Sequence, residues 1–79
     1  MDFSLLKNFK LNIWYRGLKI LTISSITTNK IIFSNNDIIT CINNNIYLNK
    51  ELICNDTINI DQLMNLYKHI LIKKGYKFL

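Results

Sequence analysis

The sequence contains no proline, alanine or valine, and only one arginine and two glycines among its 79 residues. In contrast, it holds 15 isoleucines, 12 asparagines and 9 lysines. Codons for Ile, Asn, Lys, Phe and Tyr are made wholly or mostly of A and T, whereas those for Ala, Pro, Gly and most of those for Arg are rich in G and C. The composition therefore indicates an AT-rich genome, such as that of an organelle, a reduced endosymbiont or parasite, or a virus.

Cysteine and histidine are also scarce. Two cysteines, Cys41 and Cys54, are too few for a disulfide framework, and the chain has neither a CxxC spacing nor enough histidine for a structural zinc site. Both thiols fall in or beside apolar runs, where we expect buried, unreactive side chains. The single histidine, His69, is expected to be a solvated residue on a lysine-rich helix face. We therefore predict no metal and no cofactor.

Several functional motifs are missing as well. No run of 18 apolar residues suits a transmembrane helix, and residues 1–3 (MDF) lack the start of a signal peptide. The chain has no glycine-rich phosphate loop, HExxH motif or nucleophile elbow. Asp61 is expected to support a helix N-terminus, and Glu51 and Asp56 to be ordinary surface charges. We therefore predict no enzymatic activity, no small-molecule substrate and no membrane partner.

The remaining composition describes a small basic domain. A hydrophobic content of 49% argues against disorder, and 79 residues are near the lower limit for an independent hydrophobic core. We therefore predict one domain over residues 1–79. Ten basic and five acidic side chains give a net charge of +5, which indicates an anionic partner, most often a nucleic acid.

Asparagine clusters at 35–36 and 43–45 predict turns, because asparagine tolerates left-handed backbone. The apolar runs between turn signals predict short strands at 9–15, 19–26, 30–33, 37–42 and 46–48. In the first run, alternation places Phe9, Leu11, Ile13 and Tyr15 on one face. Gly17 follows at a position suited to a tight turn.

The pattern changes to a helix near residue 59. Asn59 and Gln62 have the spacing of a capping box, and Gly75 suits the position after a helix end. The predicted apolar stripe contains Leu63, Leu66, Tyr67, Ile70 and Leu71. The predicted outer face contains Gln62, Asn65, His69 and Lys73. We predict an α+β fold: a small antiparallel or mixed sheet of about five short strands, with a C-terminal helix packed on it.

Basic residues form two groups. Lys10, Asn12, Trp14 and Arg16 share one face of the first predicted strand, a basic, amide-bearing and aromatic row that suits RNA. Trp14 could instead belong to a core beneath the helix. The second group is Lys68, Lys73, Lys74 and Lys77, which form either a solvated helix end or a phosphate-contacting segment.

Over nearly its whole length, the chain resembles the bacterial-type small-subunit ribosomal protein sixteen family, which also occurs in plastids and mitochondria. Residues 10–17 (KLNIWYRG) resemble the family's opening strand, K-[LI]-R-[LI]-x-R-x-G, in the lysine, both apolar positions and the glycine. Residues 60–75 (IDQLMNLYKHILIKKG) keep the glutamine, the Ile-Leu pair, a lysine and the glycine of its C-terminal pattern. Residues 38–43 and 46–49 take the places of two middle strands. Most family arginines, an Arg-Asp-Gly turn and a Gln-Pro step are replaced here.

The resemblance implies a structural constituent of the small ribosomal subunit in a plastid, apicoplast or mitochondrion. Such a protein binds small-subunit rRNA beside neighbouring ribosomal proteins and supports rRNA folding and assembly. The resemblance assigns RNA contact to Lys10, Arg16 and Lys73. Charge alone adds four lysines, and the amide-bearing row adds one asparagine. The predicted RNA-binding set is Lys10, Asn12, Arg16, Lys19, Lys30, Lys73, Lys74 and Lys77.

Two other functions fit the same features. The first is a small viral or phage-type inhibitor that acts by protein–protein contact, for which we expect an exposed apolar patch. The second is an RNA-binding adaptor outside the ribosome.

Overall fold

A computed structural model describes residues 1–9, 11, 13–15 and 19–78, with the backbone alone at 14, 15, 19 and 78. A 3-10 helix, Phe3–Leu6, precedes the strands. The strands are β1 (Ile13–Tyr15), β2 (Lys19–Ile20), β3 (Ile23–Ile26), β4 (Lys30–Phe33), β5 (Ile38–Ile42), β6 (Asn45–Leu48), β7 (Glu51–Asn55) and β8 (Lys77–Phe78). The helix α1 (Ile60–Lys73) lies between β7 and β8.

Strands β3 to β7 form a five-stranded antiparallel sheet in which neighbours in sequence are neighbours in space. Two of its hairpins turn on two residues with positive φ: Asn43 and Asn44 (51° and 67°), and Asn49 and Lys50 (52° and 74°). Positive φ at both positions matches the twist of the flanking strands, and asparagine tolerates it well. The turns predicted at the asparagine clusters are confirmed.

One face of this sheet forms the core with α1. Ile31, Phe33, Ile39, Ile46 and Leu48 alternate along β4, β5 and β6 and are all buried. The helix contributes four buried side chains to the same core: Leu63, Met64, Tyr67 and Leu71. The rings of Phe33 and Tyr67 stack with centroids 4.3 Å apart. The predicted α+β fold, a small sheet with a C-terminal helix, is confirmed.

The limits of α1 follow from local sequence. Asn59 Oδ1 accepts a hydrogen bond from the Gln62 N–H (2.8 Å), and Gln62 Oε1 accepts one from the Asn59 N–H (3.0 Å). At the other end, Gly75 has a φ of 101°, and its N–H and that of Tyr76 donate to Ile72 and Leu71 carbonyls. This is a Schellman motif, which satisfies carbonyls that the helix leaves without partners. The predicted capping box and glycine end are confirmed.

The strand predicted at 19–26 is wrong as a single element. It divides into β2, which pairs with β1, and β3, which pairs with β4 in the other sheet. The division falls at Leu21, which is buried and donates its N–H to the Ile13 carbonyl (3.0 Å). Burying Leu21 against the core takes the chain from one sheet to the other, so one straight strand cannot form.

The opening strand is shorter than predicted in the part that the structure describes. It begins at Ile13, whereas Phe9 still belongs to the turn after the 3-10 helix, where its N–H donates to the Leu6 carbonyl (2.9 Å). β1 joins β2 and β8 in a separate three-stranded sheet. Strands β7 and β8 were not predicted. Gly17 lies outside the described residues.

The apolar stripe of α1 is partly corrected. Leu63, Tyr67 and Leu71 are buried as predicted, but Leu66 and Ile70 are only half-buried, while Met64 is fully buried. Within the described residues, no helix has the length and hydropathy needed to cross a lipid bilayer.

We predict that Gly75→Ala lowers the free energy of unfolding by about 1 kcal/mol, because a Cβ atom disfavours the left-handed backbone at this position. Chemical denaturation monitored by circular dichroism measures the change. Asn65→Ala, at an exposed position in the middle of α1, is the matched control. The free energy of unfolding of the control should equal or slightly exceed that of the wild type, because alanine favours helix. Equal stability of Gly75→Ala and wild type would contradict this account of the helix end.

Candidate nucleic-acid interface

The face of the five-stranded sheet opposite the core is not covered by α1. Strand alternation places Ile32, Ile38, Thr40, Tyr47 and Leu52 on this outer face, since their neighbours in β4, β5 and β6 point into the core. Thr40 lies opposite Tyr47, and Tyr47 lies opposite Leu52 in the next strand. The outer face is therefore an accessible surface with an aromatic ring near its centre.

A cavity of about 370 Å³ opens on this outer face. Its lining residues are Lys30, Ile38, Thr40, Asn49 and Lys50. Ile38 and Thr40 come from one strand, and the two lysines come from segments on either side of it. The cavity therefore combines an apolar floor with two positively charged borders.

Strand pairing and a hairpin turn bring the two lysines to this cavity. Lys30 begins β4 after a tight turn in which the Thr27 N–H donates to the Lys30 carbonyl (2.8 Å), and it lies opposite Thr40. Lys50 is the second residue of the β6–β7 turn, at a φ of 74°. Both lysine side chains are exposed. Two lysines that lie twenty residues apart in the sequence thus border the same cavity.

The β6–β7 turn is fixed to the neighbouring strand through Asn49. The Asn49 side chain accepts a hydrogen bond from the Ile38 N–H (2.8 Å) and donates one to Asp37 Oδ1 (2.8 Å). These two bonds connect the turn that carries Lys50 to the start of β5. They hold Lys50 beside the cavity floor.

The Asp37 carboxylate also receives two further hydrogen bonds. Tyr67 of α1 donates its hydroxyl to Oδ2 (2.9 Å), and Asn35 donates its side-chain N–H to the same oxygen (3.0 Å). The Asn35 amide also lies 3.0 Å from the Tyr76 hydroxyl. Burial, followed by the neighbouring Asp37 charge, raises the pKa of Tyr67 above its ordinary value, so Tyr67 stays protonated and remains a donor.

A second cavity, of about 220 Å³, lies on the other side of the Asn49–Lys50 turn. Its lining residues are Leu48, Asn49, Glu51, Ile53, Ile70 and Lys74. Asn49 lines both cavities, so the turn separates them. Lys74, the C-cap of α1, therefore lies beyond the same turn that carries Lys50.

The described members of the predicted RNA-binding set occupy three places. Lys30 borders the larger cavity, and Lys73 and Lys74 lie together at the exposed end of α1. Lys77 is exposed in β8, opposite Trp14 in the small sheet. Lys19 lies in β2, where only its backbone is described, and the same is true of Trp14 in β1. Lys10, Asn12 and Arg16 lie outside the described residues.

Sequence reasoning missed Lys50, Asn49 and Tyr47 as interface residues. Tyr47 could have been found by alternation, because it stands between the apolar residues Ile46 and Leu48. A run of Asn-Lys between two apolar segments also signals a turn. The cavity itself has no sequence signal, because it depends on which strands pair.

The structure describes no acidic partner for the exposed lysines at the two cavities, at the end of α1 and in β8. Within the part of the chain that the structure describes, no carboxylate lies within 4 Å of the ammonium groups of Lys30, Lys50, Lys73, Lys74 or Lys77. An ion pair of 3.8 Å joins the terminal amine to Asp56 instead. Asp37 is occupied by amide and hydroxyl donors. These ammonium groups are therefore available to an external anion.

The remaining candidate groups are one histidine and two cysteines. His69 is exposed, as predicted, with Nδ1 2.8 Å from the Asn65 carbonyl oxygen. Cys41 and Cys54 are half-buried rather than fully buried, and each lies opposite Ile46. Two strand spacings separate them, about 10 Å, which is too far for a disulfide. No group of three metal-ligating side chains occurs among the described residues.

Comparison of the chain with known protein families, curated proteins and solved structures gives no match.

We predict that Tyr67→Phe lowers the free energy of unfolding by about 1–2 kcal/mol, because it removes a donor to Asp37 from a buried site. Asn35 and Asn49 still donate to Asp37, so the fold should persist. Tyr47→Phe is the control, since its hydroxyl makes no hydrogen bond to a described residue. Thermal and chemical denaturation of the three proteins measure the difference.

The same pair of variants gives a pH prediction. The pKa of Tyr67 is raised in the folded state, so the unfolded chain loses this proton first, near pH 10. Above that pH the wild type should lose up to about 1.4 kcal/mol of stability per pH unit from this group. Tyr67→Phe should lack this component, and Tyr47→Phe should retain it. If Tyr67→Phe lost stability above pH 10 as steeply as the wild type does, the raised pKa of Tyr67 in the folded state would be contradicted.

Proposed function

We propose that the protein is a structural, rRNA-binding constituent of an organellar small ribosomal subunit. The observation that carries the proposal is the set of exposed lysines without a described carboxylate partner: Lys30, Lys50, Lys73, Lys74 and Lys77. Phosphate groups of RNA supply the missing negative charge. The proposal assigns the chain a binding role and no catalytic step.

The outer sheet face supports RNA over other polyanions. An open antiparallel sheet with an aromatic side chain on its surface is a common platform for unpaired bases. Tyr47 occupies such a position between Thr40 and Leu52. Lysines at the cavity border and at the end of α1 then contact the backbone as point charges.

The assignment to the small ribosomal subunit rests on the sequence resemblance. The second resembling segment, residues 60–75, forms α1 and its glycine end, and it presents Lys73 at the surface. The first, residues 10–17, includes strand β1. The AT-rich composition fits an organelle as well as a virus, so the choice of compartment also rests on the resemblance.

We predict that affinity for a fluorescently labelled fragment of small-subunit rRNA falls steeply between about 50 and 200 mM salt, because RNA binding releases counterions. Lys30→Gln, Lys73→Gln and Lys74→Gln should each weaken binding and lower the slope of log affinity against log salt by about 1. Fluorescence anisotropy titrations at several salt concentrations give both quantities.

Lys7→Gln is the matched control, because Lys7 is an exposed lysine in the turn after the 3-10 helix and lines neither cavity. It should leave the slope unchanged. A salt-independent affinity, or an equal effect of Lys7→Gln, would contradict binding at the proposed surface.

A second experiment tests the ribosomal assignment itself. The tagged protein, expressed in the organelle, should sediment with small ribosomal subunits through a sucrose gradient and leave them at high salt. Recovery in the free pool alone would contradict the ribosomal role, even where RNA binding in vitro is strong.

The apolar part of the outer face favours a second candidate, an inhibitor that acts by protein–protein contact. Ile42 and Leu52 are 54% and 57% exposed, which matches the patch expected of such a protein. Affinity purification distinguishes the two functions: one protein partner without RNA supports the inhibitor, whereas RNA with many ribosomal proteins supports the leading proposal.

A further inference from the structure

We infer that the cavity bordered by Lys30 and Lys50 receives one unpaired nucleotide of a single-stranded RNA, with the base on the floor and phosphates at the two lysines. This inference rests on the proposed RNA-binding function and names the form of RNA that the site takes. The lining residues, the cavity size and the surrounding hydrogen bonds each support it.

The size and chemistry of the cavity suit a nucleotide. Its volume of about 370 Å³ falls within the range of roughly 300–1,000 Å³ typical of small-molecule sites. Ile38 and the methyl group of Thr40 offer an apolar surface for the flat face of a base. Lys30 and Lys50 stand at the border, where the charged sugar-phosphate part of the ligand remains in water.

Polar groups in the cavity are available to the edge of a base. Thr40 Oγ1 makes no hydrogen bond to a described residue, so the hydroxyl can donate or accept. The Asn49 side chain donates one N–H to Asp37 and accepts a hydrogen bond from the Ile38 N–H with one lone pair. One N–H and one lone pair of Asn49 remain. Thr40 and Asn49 can therefore hydrogen-bond a base without selecting strongly among the four.

The geometry favours an unpaired strand. In a duplex both faces of a base are stacked and its pairing edge is occupied, so the base cannot enter a concave site on a sheet. Tyr47 lies opposite Thr40 on the adjoining strand, where its ring can stack on the next base of an extended strand. The cavity and Tyr47 thus form two consecutive base positions.

The backbone at Lys50 is held in place before RNA binds. Asn49 is bonded to Ile38 and Asp37, and Asp37 is bonded to Tyr67 of α1. A backbone already fixed in position loses little conformational freedom on binding, which favours affinity. Lys50 therefore acts from a rigid turn, although its side chain is exposed.

The test compares binding of a labelled eight-nucleotide RNA in single-stranded form and after annealing to its complement. Wild type should bind the single strand about tenfold more tightly than the duplex. Thr40→Phe fills the cavity with a side chain that suits a strand, and it should remove about tenfold of the single-strand affinity. Lys50→Gln should weaken the same complex without adding bulk.

Ile42→Phe is the matched control for Thr40→Phe. Ile42 lies on the same strand and the same face, is 54% exposed and does not line the cavity. It should bind the single strand as wild type does. Circular dichroism of both variants should give the wild-type spectrum, which separates loss of binding from loss of fold.

A competition measurement identifies the part of the ligand that is recognised. Uridine monophosphate should displace the labelled strand at lower concentration than inorganic phosphate does. Equal potency of the two competitors, equal affinity for single strand and duplex, or full binding by Thr40→Phe would overturn the nucleotide site while leaving salt-dependent RNA binding intact. Absence of binding to both RNA forms would overturn the proposed function as well.

Discussion

The carboxylate of Asp37 is the point on which three parts of this small fold depend. It accepts hydrogen bonds from Tyr67 in α1, from Asn35 in the β4–β5 turn and from Asn49 in the β6–β7 turn. A domain of 79 residues has a limited hydrophobic core, so polar contacts that join distant segments carry unusual weight. Without the Asp37 side chain, all three segments would lose their common hydrogen-bond acceptor.

The same arrangement separates a buried face of the sheet from an open one. α1 covers one face of the five-stranded sheet, where its aromatic ring at Tyr67 stacks on Phe33. The opposite face remains accessible, and the Asp37 hydrogen bonds fix the turn that brings Lys50 to it. Asp37 accepts its hydrogen bonds from amide and hydroxyl groups, and it forms no ion pair with a described lysine.

Local signals predicted much of the fold. The Asn59 capping box and Gly75 placed both ends of α1, and alternation placed β4, β5 and β6 within one residue. The division of 19–26 between two sheets was not predictable, because it depends on where Leu21 is buried. Of the candidate site, charge alone suggested Lys30 and Lys74, and the family resemblance suggested Lys73. The cavity required the pairing of β4 with β5 and the position of the β6–β7 turn, and both are tertiary properties.

The central claim is that RNA is bound on the outer sheet face beside the turn held by Asp37. Titration of the uniformly ¹⁵N-labelled protein with a short single-stranded RNA, followed by amide chemical shifts, tests this claim most directly. The account predicts that the largest shifts occur at Lys30, Thr40, Asn49 and Lys50. Shifts confined to the exposed face of α1, at Gln62, Asn65 and His69, with the cavity residues unchanged, would contradict it.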